Sequence, residues 1–97
     1  MARFMERFER HMDADPELRA EYDRLAPRFR AISELIKARG TVSQSELARR
    51  MKVSPGVISR LESAEHDPRL GTLASAARAL GYELEVTFRR QGETSAS

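Results

Sequence analysis

Gln44, Ser54, Gly56, Ser59 and Arg60 fall within one short span of the chain, and Arg49, Arg50 and Lys52 stand among them. Amide, hydroxyl and guanidinium groups at this spacing suit hydrogen bonds to base edges, while clustered cations suit phosphate oxygens. Chemistry of the bond-breaking kind has few candidates. The 97-residue chain has no cysteine and two histidines, His11 and His66. Neither histidine has a second ligand at metal-binding spacing, and no glycine-rich phosphate loop is present. Both read as solvated side chains, so we expect no catalytic residue, no metal and no cofactor.

The elements that must position these residues are bounded first by size. A chain of this length has room for one compact domain with appendages, since a second core needs roughly another hundred residues. The formal net charge is +2 and acidic and basic residues are nearly balanced along the chain, so bulk charge alone does not point to nucleic acid. Residues 1–12 alternate apolar side chains with Arg and Glu, which argues against a secretory signal or a membrane span. A soluble, cytoplasmic protein is expected.

Helical periodicity dominates the chain. Phe4, Phe8 and Met12 recur every four residues. Leu18, Tyr22, Leu25, Phe29, Ile32 and Ile36 then form a second stripe, interrupted at Pro27, where a helix either starts anew or bends. Gly40 follows Lys37 and Arg39 as a stop. Ser43 with Glu46 has capping-box spacing and starts a helix with Leu47, Ala48 and Met51 inward. Ser54 and Pro55 start the next, with Val57, Ile58 and Leu61 inward and only Lys52 and Val53 between the two helices. Val53 and Ile58 are expected to seal the corner. Leu70, Leu73, Ala77 and Leu80 describe a last helix stopped by Gly81. Beyond it, Tyr82, Leu84, Val86 and Phe88 alternate with polar residues, which is the period of a half-buried strand.

Two short helices joined by a tight turn, with Ala48 small enough for close approach, have the geometry that lays the second helix in a DNA major groove. The run Ser43-Gln44-Ser45-Glu46-Leu47-Ala48-Arg49-Arg50-Met51 closely resembles the Xre/Cro-type helix-turn-helix family. Val53-Ser54, Ile58-Ser59-Arg60-Leu61-Glu62, Pro68, Leu73 and Ala79-Leu80-Gly81 extend the likeness. More narrowly, Asp15-Pro16-Glu17-Leu18-Arg19-Ala20-Glu21-Tyr22 and Tyr82-Glu83-Leu84-Glu85-Val86 resemble HigA-type antitoxins of bacterial toxin-antitoxin pairs. The resemblance implies a DNA-binding repressor of its own operon. Gln44 would touch a phosphate and brace the recognition helix, and Ser54, Gly56, Ser59 and Arg60 would face DNA. Ser43, Arg49, Lys52 and Pro55 complete the expected DNA-binding set. Lys52 stands where relatives often carry glycine, and Pro55 where they often carry a base-reading glutamine. Base readout is therefore expected to be sparse and DNA shape to matter more.

The fold expected is mainly α: a five-helix domain over 27–81, a helical extension over 1–26, a strand over 82–90 and a disordered tail over 91–97. A lone strand cannot satisfy its backbone, so it is expected to pair with its counterpart in a second copy through Tyr82, Leu84, Val86 and Phe88. The alternative is that it adds to another protein's sheet edge. Phe4, Phe8, Met12, Leu18, Tyr22 and Leu25 exceed what the domain needs. The resemblance implies that this arm binds a RelE/HigB-like ribonuclease toxin; the alternative is that it folds back on the domain.

Overall fold

The computed structural model describes residues 15–91. The first helix, α1, spans Pro16–Arg39. The Asp15 carboxylate accepts the amide protons of Glu17 at 3.0 Å and Leu18 at 3.4 Å. With Pro16 at the first helical position, where no amide proton is needed, this fixes the start. Gly40 ends it at φ 54° and ψ −120°, a conformation open only to glycine.

Helices α2 (Gln44–Met51), α3 (Pro55–Glu62) and α4 (Leu70–Ala79) follow. Leu35 of α1, Leu47 and Ala48 of α2, Ile58 of α3, and Leu73 and Ala76 of α4 form one buried cluster. Ile32, Leu47 and Ile58 are wholly removed from solvent. Each such side chain contributes about 1.5–3 kcal/mol of burial, and together they lock α2 and α3 onto the flanking helices.

Four helices, not five, are present among the described residues. Pro27 does not divide the second apolar stripe: α1 runs unbroken across it, and so across the expected boundary between residues 26 and 27. An interior proline forfeits a backbone hydrogen bond and crowds the preceding turn. Ala26 and Ile32 on either side of it are both buried, and packing of one continuous face offsets that loss.

Residues 82–90 differ from expectation as well. They run without helix, turn or bend but form no strand, because no strand lies beside them among the described residues to share their hydrogen bonds. Their starting direction is fixed by a Schellman turn: Tyr82 N–H bonds to Ala77 O at 2.8 Å and Gly81 N–H to Arg78 O at 3.1 Å, with Gly81 at φ 84°. Phe4, Phe8 and Met12, and the tail beyond Gln91, lie outside the described residues.

Candidate nucleic-acid interface

The turn joining α2 to α3 is a second Schellman motif built without glycine. Lys52 adopts φ 61° and ψ 42°, its N–H bonds to Arg49 O at 3.2 Å, and Val53 N–H bonds to Ala48 O at 3.0 Å. A side chain in this left-handed conformation costs about 1 kcal/mol against glycine. This conformation turns the backbone sharply enough for α3 to start three residues later, at Pro55. Ile58 closes the corner beneath, while Val53 is exposed rather than sealing it.

Helix α3 presents one open edge. Ser54, Pro55, Gly56, Ser59 and Arg60 are all exposed, whereas Ile58 is buried and Val57 and Leu61 are half-buried. Ser54 occupies the cap position, yet its hydroxyl makes no capping hydrogen bond. The Arg60 guanidinium lies back over the first turn, where a Cβ placed on Gly56 would sit 4.0 Å from it and 3.9 Å from Ser54 Oγ. Gly56 thus leaves the ground between the hydroxyl and the guanidinium bare, and both groups meet at the positive end of the helix dipole.

A partly buried polar knot holds this helix from behind. The Glu62 carboxylate accepts from Arg39 Nε at 2.7 Å, Arg39 Nη2 at 2.8 Å and Gln44 Nε2 at 2.9 Å. Arg39 Nη1 also donates to Val42 O at 2.8 Å. The side chains of Arg39 and Glu62 are 17% and 6% exposed. The C-terminus of α1, the start of α2 and the end of α3 are therefore tied through one carboxylate, and the hydrogen bonds that Arg39 donates to Glu62 hold the Arg39 pKa above its ordinary value. Gln44 spends one amide N–H on this brace and remains half-exposed.

The expected cations divide into two groups. Arg49 and Arg50 both bind Glu46, Arg49 Nε at 2.9 Å and Arg50 Nε at 3.0 Å, and Arg50 also reaches Ala79 O. These bonds hold the Glu46 pKa down at about 2. Glu46 consequently turns to the arginines, so the capping box is half made: Ser43 Oγ accepts the Glu46 N–H at 3.0 Å, without the reciprocal bond. Arg60 and Lys52, by contrast, make no ion pair among the described residues. Their charge is uncommitted, and Arg60 alone of the two projects from α3.

Arg39 was not among the residues expected at the site; its sequence signal was a basic last helical turn. Its partner lies 23 positions away, and nothing local announces the pair. His66 borders a shallow cleft of about 190 Å³ beside α3, with Arg60, Arg69 and Thr72. No group of acidic or histidine side chains among the described residues could hold a metal ion, and no helix of theirs is long and apolar enough to cross a membrane.

A family model described as helix-turn-helix matches residues 32–86, more than half of the chain. No curated protein and no solved structure matches it.

Proposed function

The chain belongs to the Xre/Cro-type helix-turn-helix family of DNA-binding transcription regulators, and from that premise we propose that it is a repressor that binds a palindromic operator as a dimer. The observation that carries this reading is the exposed edge of α3, which Ser54, Gly56, Ser59 and Arg60 share, with Arg60 in no ion pair among the described residues. Arg60 is the base-reading residue, bidentate to a guanine edge, and Ser54 with the α3 backbone holds a phosphate. Gln44 completes a phosphate contact with its second amide proton while Ser43, Lys52 and Pro55 line the approach. Arg49, spent on Glu46, contributes at most long-range field. Residues 82–90 supply the dimer contact, which sets two recognition helices about 34 Å apart, one turn of DNA.

The finer reading is an antitoxin of the HigA type that neutralises a RelE/HigB-like ribonuclease toxin and represses its own operon. What favours it is α1. The buried residues of that helix are Ala26, Ile32 and Leu35, while Leu18, Tyr22 and Leu25 in its first half are only half-buried and Tyr22 meets Phe29 in a tilted ring contact at 6.1 Å. That half carries a half-buried apolar row continuous with the domain, suited to a partner's groove.

The test is a titration of the purified protein against its own upstream promoter DNA at several salt concentrations, with unrelated DNA of equal length as control. Saturable, promoter-selective binding with two protomers per site is expected. Binding equal to the control removes the specific-repressor reading and favours a protein-interaction module. A toxin reading requires, in addition, that the product of an adjacent gene co-purifies and loses ribonuclease activity in the complex.

A further inference from the structure

Tyr82, Leu84, Val86 and Phe88 carry an apolar alternation along a segment whose residues are all exposed, with Phe88 fully so at 101% and Val86 at 60%. Residues 82–87 roof a groove of about 890 Å³ floored by Ala31, Leu35 and Ala38 of α1 and by Leu70, Leu73 and Ala77 of α4. Phe88 lies beyond the end of its own groove. With Leu70, these side chains expose on the order of 600 Å² per chain, most of the roughly 800 Å² that a standard interface buries on each partner. A symmetric pair of such faces can supply a stable dimer; a single chain leaves them in water.

Resting on the dimer reading above, we propose that residues 82–90 of two copies pair antiparallel in the register that sets Val86 opposite Val86 on the two-fold axis, each Phe88 entering the other copy's groove. Antiparallel pairing of a segment with its own copy keeps apolar side chains on one face only when paired residues share parity, which leaves few registers. Centring on Leu84 sets Glu83 against Glu85 twice. Centring on Glu85 sets that carboxylate against itself. Like charges directly opposite are unfavourable, so both are disfavoured. Centring on Thr87 shortens the ribbon to residues 84–90 and leaves Tyr82 without a partner. Centring on Val86 uses the whole of 82–90: Tyr82 faces Arg90, Glu83 faces Arg89, Leu84 faces Phe88, and Glu85 faces Thr87. Because Leu84 lines the groove, the second copy's Phe88 arrives at its mouth, which accounts for a fully exposed aromatic at that position.

The absence of cysteine from the chain makes the register directly readable. Full-length Leu84→Cys, Glu85→Cys, Val86→Cys and Thr87→Cys variants each carry one thiol and are oxidised mildly. In the proposed register the two Val86 Cα atoms lie about 4.5–5.5 Å apart, within disulfide range, and those of residues 85 or 87 about 8–9 Å, outside it. Val86→Cys is expected to form covalent dimer at least about ten-fold faster than the other three. As a second measure, Glu83→Arg should weaken dimerisation and Glu83→Arg with Arg89→Glu should restore it, since only this register sets those two residues opposite each other. Fastest cross-linking at another position overturns the register but keeps a strand-paired dimer. No cross-linking in a protein that light scattering finds dimeric overturns strand pairing. A monomer at every concentration that still selects its promoter overturns the dimer and leaves the DNA-binding reading intact.

Discussion

Replacing Glu62 with alanine removes the acceptor of three hydrogen bonds at 2.7–2.9 Å and leaves the Arg39 guanidinium largely out of water. Breaking a buried pair from one side costs about 3–5 kcal/mol, because the remaining charge stays desolvated. Arg39 keeps its bond to Val42 O and some contact with solvent, which sets the expectation at the lower end, about 3 kcal/mol. For a domain of this size that lowers Tm by roughly 12–24 °C. Removing both partners together, as in Arg39→Met with Glu62→Leu, deletes the charge along with its counterpart and should recover most of the loss. Urea unfolding of wild type, both single variants and the pair, followed by circular dichroism, gives the coupling directly. A Glu62→Ala variant within about 1 kcal/mol of wild type, or a pair no better than the sum of its singles, would refute the view that this knot anchors α3.

Three further outcomes are expected. Lys52→Gly relieves the left-handed strain at φ 61° and should stabilise the domain by up to about 1 kcal/mol, with the greater freedom of glycine in the unfolded chain taking back part of it; a loss of stability in the same melts contradicts the turn described. Glu46 titrates near 2 because Arg49 and Arg50 bind it. Its stabilising contribution is present above the ordinary carboxylate pKa, near 4.5, and is lost as pH falls from there toward 2. The Tm of Glu46→Gln should therefore fall less than that of wild type across this window, and an NMR titration should place the Glu46 midpoint well below 4. Arg60→Ala should weaken promoter binding by about 1–3 kcal/mol with the oligomeric state unchanged in light scattering, and unchanged affinity would remove the base-reading assignment.

The ends of α2, α3 and α4 were legible because they rest on neighbours in the chain. Ser43, Pro55, Gly40 and Gly81 mark helix ends through local hydrogen bonding and backbone freedom, and the inward stripes of α2 and α3 follow from a 3.6-residue period. From the same pattern the helix-turn-helix, and Arg60 on its open edge, could be placed. Whether α1 continues through Pro27 could not be read, because the answer depends on what buries Ala26 and Ile32, not on the proline itself. Nor could the division of the arginines be read. Arg39, Arg49, Arg50 and Arg60 are alike in sequence, and only the fold brings Glu62 to the first and leaves the last without an ion pair among the described residues. The alternation of residues 82–88 has the period of a strand, yet none forms among the described residues, since a strand is completed by hydrogen bonds from another segment. Period and capping are local properties that a sequence carries by itself; charge pairing, helix continuity and strand pairing are decided by contacts between residues far apart, which exist only once the chain has folded.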